Sequence, residues 1–445
     1  MTIYPANGIH RQNIMNEQAI QLNRQIEADC PAVLQMLSQR GREIYFPKLG
    51  ILAQSAEANG KEINATIGIA LEEDGSPMAL PAIASNCSLK PAEMVSYAPS
   101  PGRPDLRKAW KEMLVKKNPS LAGKQFSLPV VTSALTHGLS MAAHLFCDKG
   151  DSFIVPDLYW ENYDLIFNNG CGAKLVKYPL FAGKGFNLAG LEKHLFSGKK
   201  SKKIVCLNFP NNPTGYTPTI AEAAAIAKML QEAAAAGNSV IALVDDAYFG
   251  LVFEDGIYRE SIFSLLCDKH ENLLAVKLDG PTKEDYVWGF RVGFMTYGIK
   301  DGTPAVYSAL EAKTAGAIRG NISNSANISQ SLLLKAYQAK TYEEEKKQKY
   351  DVLNARYLLV KEILGKHPEY GEHFEPLPFN SGYFMCLKMA SVDPEKLRQK
   401  LLTDYASGVI VMNGLVRIAF SATPLAKLPK LFENIYKAAG ELAGK

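Results

Sequence analysis

Lys203-Ile-Val-Cys-Leu-Asn-Phe-Pro-Asn-Asn-Pro-Thr-Gly215 is the stretch on which the fold turns. A short apolar run, too short for a buried helix, ends in a loop stiffened by two prolines and a glycine. Such a run reads as a strand buried on both faces of a parallel sheet. The pattern recurs at Val240-Ile-Ala-Leu-Val244 and Leu273-Leu-Ala-Val-Lys-Leu278, and upstream at Phe153-Ile-Val155. Between the first two runs lies an alanine-rich segment, residues 219–236. Thr219-Ile-Ala-Glu222 fits a capping box at its start, and Gly237-Asn238 supplies a left-handed stop. Strand, helix and strand in this order predict an α/β sheet with crossover connections.

The texture changes near residue 340. Glu343 and Lys347, and Glu345 and Lys349, are spaced i,i+4 in the favourable order. Tyr350, Leu353, Tyr357, Val360 and Leu364 then recur at helical spacing, predicting one long amphipathic helix that ends near Gly365 and Pro368. It reads as a strut into a second domain, where Tyr383-Phe-Met-Cys-Leu387 and Val416-Arg-Ile-Ala-Phe420 look like strands. Lys199-Lys-Ser-Lys-Lys203 reads as a solvated loop before a strand.

The chain has 445 residues, enough for two or three domains with real cores. Its 49 Lys and Arg against 45 Asp and Glu leave a net charge of +4, too mild to argue for nucleic acid or an anionic membrane as partner. No stretch reads as membrane-spanning, and Met1-Thr-Ile-Tyr-Pro-Ala6 lacks the pattern of a signal peptide. The seven cysteines are scattered without a C-x-x-C pair, suggesting neither a disulfide framework nor a metal site. A cytoplasmic protein is expected.

Four segments carry chemistry. The loop after the first strand presents Asn212, although Asn-Pro-Thr-Gly is also simply good turn chemistry. In Val244-Asp-Asp-Ala-Tyr-Phe-Gly250, Asp245 follows five apolar residues, so it either caps a turn or faces a cationic ligand atom. Asp279-Gly-Pro-Thr-Lys283 puts Lys283 at a third strand end, as a surface charge or as an amine whose pKa can fall for attack on a carbonyl. Trp288-Gly-Phe-Arg-Val-Gly293 sets Arg291 among apolar residues and glycines, where its planar fork suits a phosphate.

Taken together, an amide, a carboxylate, a tyrosine, a lysine and an arginine at successive strand ends resemble the fold-type I pyridoxal-phosphate enzymes. Specifically, they resemble the class I/II aminotransferases, over roughly residues 63–420. The resemblance implies that Lys283 holds pyridoxal 5'-phosphate covalently and then moves the substrate proton. Asp245 would pair with the ring nitrogen, Tyr248 and Asn212 would bond the phenolic oxygen, and Arg291 would take the phosphate. In Val155-Pro-Asp-Leu-Tyr-Trp-Glu-Asn-Tyr163, Trp160 rather than Tyr159 is implied as the ring-stacking aromatic. Ser133, Ala134 and Leu135 fall where the family puts a helix N-terminus under the phosphate. Tyr97, in Tyr97-Ala-Pro-Ser-Pro-Gly-Arg-Pro-Asp-Leu-Arg107, would reach the partner's phosphate, which implies a homodimer with shared active sites. Arg417 would clamp the substrate α-carboxylate.

For substrate, Ile63-Asn-Ala-Thr-Ile-Gly68 resembles the aspartate and aromatic aminotransferase branch, with Gly68 over the substrate. Ile318-Arg-Gly-Asn-Ile-Ser-Asn324 makes Arg319 the candidate for binding a distal carboxylate in the partner's site. Three departures stand out. Gly280 occupies the place of a phosphate-binding serine or threonine, Leu135 that of a small hydroxyl residue for which Thr136 could substitute, and the lead-in before residue 63 is long.

The resemblance implies a large domain over 82–340 with a mostly parallel seven-stranded sheet. A smaller α+β domain is expected from 1–81, the N-terminal segment, together with 341–445. The expected reaction is ping-pong transamination between an amino acid (aspartate or glutamate, then aromatic ones) and a 2-oxo acid. A β-decarboxylase, C–S lyase or synthase would use the same lysine. A cofactor-binding regulator would need a DNA-binding domain for which the first 62 residues are short and weakly basic.

Overall fold

The structure, a computed structural model, describes residues 15–47, 50–85 and 87–444. Residues 1–6, read above for a signal peptide, lie outside the described residues.

All four apolar runs are strands of one sheet. In chain order its members are β1 (Val130–Thr132), β2 (Ser152–Pro156), β3 (Lys174–Tyr178), β4 (Lys202–Asn208), β5 (Ser239–Asp245), β6 (Leu273–Asp279) and β7 (Gly293–Gly298). Across the sheet the order is β1-β7-β6-β5-β4-β2-β3. Only β7 runs antiparallel to its neighbours. This is the mostly parallel seven-stranded α/β sheet that the resemblance implies. Ile204, Val205 and Cys206 are fully buried, as befits a strand covered on both faces.

From β2 the chain goes outward to β3 and returns on the other side as β4. Such a reversal opens a crevice at the carboxyl ends of a doubly wound sheet, where ligands bind.

Helices precede and connect these strands. Glu17–Asp29 (α1) opens the described N-terminal segment, followed by the short Gln39–Glu43 (α2). Ala134–Phe146 (α3) follows β1, and Ile220–Ala235 (α4) joins β4 to β5. The capping box on α4 is formed. Thr219 Oγ1 accepts from the Glu222 N–H, and Glu222 Oε2 accepts from the Thr219 N–H at 2.8 Å.

A second sheet holds β8 (Phe374–Pro376), β9 (Phe384–Met389), β10 (Ile410–Met412) and β11 (Leu415–Ala419), all antiparallel, in the order β8-β9-β11-β10. Pro304–Asn321 (α5) and Tyr342–Lys366 (α6) lead into it. Leu353, Tyr357 and Val360 of α6 are buried as the spacing predicts, but Ile363 rather than Leu364 completes the stripe.

Two local expectations fail. The Glu343–Lys347 and Glu345–Lys349 pairs do not form: Lys347 turns to Asp351 within α6 at 2.5 Å, and the other three bond other elements. Glu343 takes Lys116 at 2.5 Å, Lys349 takes Glu72 at 2.5 Å, and Glu345 accepts the Ala82 N–H at 2.7 Å. An exposed i,i+4 pair is worth only about 0.3–0.5 kcal/mol, so contacts with other elements outcompete it. The basic run is also not all solvated loop: β4 already begins at Lys202, and Lys203 is buried with its ammonium on the Ser197 carbonyl at 2.9 Å. Among the described residues no helix is long and apolar enough to cross a membrane.

Candidate active site

The strand ends converge on one cavity. Asp245 closes β5, and its carboxylate is buried. It accepts the Tyr163 hydroxyl at 2.5 Å and the Ala247 N–H at 3.1 Å. Burial raises its pKa, while the Tyr163 hydrogen bond and the charge of Lys283 pull it back. A carboxylate kept at this depth is favoured in its ionised form by a cation placed against it.

Lys283 stands one short turn beyond β6 and faces the same cavity, its ammonium 5.0 Å from the centre of the Tyr248 ring. Burial brings its pKa down to about 8, helped by the like charge of Arg291 and opposed by Asp245. Its flank is firmly held. Glu284 bonds Lys117 at 2.9 Å and Lys346 at 2.7 Å, and Asp285 accepts the Tyr342 hydroxyl at 2.7 Å. The lysine backbone carbonyl accepts the Tyr383 hydroxyl at 3.1 Å.

The β4 loop is organised by Asn208. Its side chain donates to the Asp245 carbonyl at 3.0 Å and accepts from the Asn212 N–H at 2.9 Å, tying two strand ends together. Gly215, with φ at 71°, lets this loop press on the second sheet: a Cβ there would lie 2.0 Å from the Phe384 carbonyl oxygen.

Asn212, Tyr248, Trp160 and Arg291 line the cavity with Lys283 and Asp245, as do Ala134 and Leu135 at the start of α3. Ser133 is the residue just before that helix. Tyr159 does not reach the cavity; it bonds Asp164 at 2.6 Å and Lys177 at 2.5 Å. Arg291 is held in the left-handed region, φ 52°, a costly conformation for a residue with a side chain. Arg417, on β11, is buried behind Asn212. It donates from Nη1 to Asn212 Oδ1 at 3.3 Å and from Nη2 to the Thr66 carbonyl at 3.4 Å, while its Nε is buried without a partner. Gly68 is exposed two residues beyond Thr66.

Tyr97 and Arg319 stand outside this cavity. Tyr97 is 90% exposed, and Arg319 is exposed on α5 with Nη1 on Ser323 Oγ at 2.9 Å. They share one face, because Ser100 Oγ donates to the Ser323 carbonyl at 2.9 Å.

The glycine at 280 has a steric cause. A Cβ there would lie 2.9 Å from the Gly293 Cα and 3.2 Å from Leu135 Cδ1, so no serine or threonine fits. Leu135 packs into this junction instead of offering a hydroxyl. Besides the Tyr248 phenol, hydroxyls at the cavity come from Thr136 and from Thr282, whose Oγ1 is buried without a partner. Thr282, Asn208 and Tyr163 are site residues that sequence reasoning did not single out. Tyr163 carried a usable signal, since it ends the quoted segment three residues after Trp160.

The cavity fits an aromatic phosphate ester carrying a carbonyl. It offers an unprotonated-prone amine, a buried carboxylate opposite, a flat indole on its wall, and helix N–H groups, an arginine and a free hydroxyl for an anion. The chain belongs to the aminotransferase class I and II family, whose model matches residues 66–435. Members of that family use pyridoxal 5'-phosphate.

Among curated relatives, a probable N-acetyl-LL-diaminopimelate aminotransferase of Bacillus subtilis is 29% identical over 45% of this chain and 47% of its own length. An aspartate aminotransferase of Pyrococcus horikoshii is 25% identical over 77% of this chain and 82% of its own. The chain thus spans about half the length of the first relatives it matches. Among solved structures, an aminotransferase from Anaerococcus prevotii superposes with a TM-score of 0.81 at 23% identity, covering 91% of this chain and 99% of that one. A single mutant of Thermus thermophilus aspartate aminotransferase gives 0.71 at 19% identity, covering 90% and 99%. These likenesses speak to the fold.

Proposed function

We propose that this protein is an aminotransferase that passes an amino group between an amino acid with a distal carboxylate and a 2-oxo acid in two half-reactions. The observation that carries the reading is the pairing of Lys283, whose proton affinity is lowered, with buried Asp245 across one cavity. Bound pyridoxal phosphate would supply an electron sink that acidifies the substrate Cα–H. Its residues here would be Lys283 for the carbonyl carbon, Asp245 for the ring nitrogen, and Tyr248 with Asn212 for the phenolic oxygen. Trp160 would cover the ring, and the start of α3 (Ser133, Ala134, Leu135) with Arg291 would hold the phosphate.

The chain's own part in the chemistry is binding and proton handling. A side-chain amine with a pKa of about 8 is about half neutral at pH 8 and increasingly so above it, so Lys283 can take the Cα proton and return it. Tyr163 and Ala247 fix the Asp245 carboxylate so that its charge needs no rearrangement. Arg417 presents an unpartnered Nε beside Asn212, suited to an α-carboxylate.

A dicarboxylate substrate, aspartate or glutamate with 2-oxoglutarate, is favoured over an aromatic one. The relatives are named for aspartate, prephenate and diaminopimelate, all of which bear a second carboxylate. In this reading Arg319 and Tyr97 act across a homodimer, Arg319 on the distal carboxylate and Tyr97 on the phosphate, with Gly68 over the substrate. Met94, Val95, Ile322 and Ile328 are exposed apolar residues on that shared face, which supports a second copy docking there.

The test is the visible spectrum of the cofactor-loaded protein. Addition of aspartate should bleach the yellow form and build up one equivalent of oxo acid per site. Continuous release of ammonia or carbon dioxide instead would favour a lyase or decarboxylase and overturn transamination.

A further inference from the structure

Behind the strand ends that carry Asp245 and Lys283 lies a buried charge cluster for which the reading above has no use. Lys277 and Asp279 stand two residues apart on β6, with Val244 of β5 opposite Lys277 in the parallel register. Residues two apart in a strand share a face. Lys277 and Asp279 therefore project on the side of the sheet that Val244 faces, where Asp246 meets them, while Asp245 and Leu278 point to the other side. Lys277 is wholly inaccessible to solvent, and Asp246 and Asp279 are nearly so. The Lys277 ammonium pairs with Asp246 Oδ2 and with Asp279 Oδ2, the latter at 3.2 Å.

Each carboxylate has a second anchor. Ser261 Oγ donates to Asp246 Oδ2 at 2.5 Å, and Trp110 Nε1 donates to both oxygens of Asp279 at 3.2 Å. Trp110 belongs to the helix Pro104–Lys117 and stacks on Phe294 of β7, with ring centroids 4.3 Å apart. Burial lowers the proton affinity of Lys277, but the charges of Asp246 and Asp279 outweigh it, so its pKa is raised and the ammonium persists. The cluster reaches the site through the backbone. Asp246 directly follows Asp245, and its N–H bonds the Leu278 carbonyl at 2.9 Å. Asp279 directly precedes Gly280, whose missing Cβ lets the chain pass Gly293 on its way to Lys283.

We infer that Lys277 is a positioning residue for the transfer reaction: by joining Asp246 to Asp279 it sets the end of β5 against the end of β6, and so the Asp245 carboxylate against the Lys283 amine. The inference rests on the aminotransferase reading of those two residues. A buried ion pair adds little net stability, because taking both charges out of water costs about what their attraction returns. Packed apolar side chains would hold the strands together as well. What the ions add is direction. An ammonium bonded to a carboxylate on each strand fixes the lateral and axial offset of the two strands where they leave the sheet. Reacting groups misplaced by about 1 Å can lose about 100-fold in rate, so that offset matters to the amine and carboxylate beyond it.

The experiment compares the full chain with Trp110→Phe and with Lys277→Met/Asp246→Asn/Asp279→Asn, which removes every buried ion of the cluster and keeps acceptors for Ser261 and Trp110. Cofactor affinity, thermal melting and the pH dependence of pyridoxal phosphate capture, read from the visible band, are measured for each. The triple variant should melt cooperatively and bind cofactor about tenfold or more weakly. Its capture midpoint should move from about 8 toward the ordinary lysine value of about 10.4, because loosened strand ends let water reach Lys283. Loss of the cluster's excess negative charge would by itself lower that midpoint, so a midpoint that stays or falls would overturn the inference. Trp110→Phe keeps the stack on Phe294 and loses only the Nε1 bonds. It should shift the midpoint the same way by less, and it decides the matter if the triple variant does not fold. A native protein with no midpoint near 8 would undo the reading of Lys283 and this inference with it. A native midpoint near 8 that survives in both variants would overturn this inference alone.

Discussion

Tyr163 is the residue whose weight is least visible from its position in the chain. It lies 82 residues from Asp245, yet it provides that carboxylate's shortest hydrogen bond. A hydrogen bond to a charged group is worth about 1.5–3 kcal/mol, so Tyr163→Phe should weaken cofactor binding and lower kcat by about tenfold or more while the protein still folds. Titration of the apoprotein with pyridoxal phosphate and steady-state rates measure both; unchanged values would remove Tyr163 from the site. Lys283 gives a pH prediction with a definite sign. Its pKa is lowered to about 8, and only the neutral amine attacks a carbonyl, so capture of the cofactor should accelerate as pH rises through 8 and then level off. An ordinary lysine would keep accelerating toward about pH 10.4, and that profile would show that burial does not act on Lys283 as described.

At the scale of elements, the junction of β6, β7 and α3 replaces a familiar phosphate contact. Restoring the hydroxyl by Gly280→Ser should lower cofactor affinity, because the new Cβ collides with the Gly293 backbone and with Leu135. Overpacking of this kind typically costs about 1–3 kcal/mol, and it would displace the helix start proposed to hold the phosphate. Tighter binding in a cofactor titration of that variant would contradict the packing argument. The same junction shows what sequence can and cannot carry. The strands were legible because an apolar run of β-branched residues states its own burial, and the α4 cap because Thr219 and Glu222 are only three residues apart. The reason for Gly280 was not legible, since it depends on a backbone contact with Gly293 and on where Leu135 packs. The partners of Glu343 and Lys349 were misread for the same reason: helical spacing names the near neighbour, while Lys116 and Glu72 arrive from elsewhere in the chain.

Across the whole molecule, the fold and the cluster of Lys283, Asp245, Asn212 and Arg291 followed from motifs at strand ends. Tyr97 and Arg319 are different: both sit on the exposed face with Val95, which is 75% exposed. If that face is where two copies meet, Val95→Asp should turn a dimer into a monomer in sedimentation and cut activity at least tenfold, with the melting of each chain little changed. A variant that stays dimeric and active would place the interface elsewhere. The press of Gly215 on Phe384 has its own consequence at this scale. Asn212 rides on the β4 loop, and Arg417 rides on β11, the strand beside β9. Bolting that loop to β9 makes the two residues a single jaw, so a swing of the second sheet would carry the proposed α-carboxylate clamp and the proposed ring-side amide together. Evolution of a new substrate range in this chain is therefore channelled away from the jaw and toward the rim, where side chains can vary without loosening it.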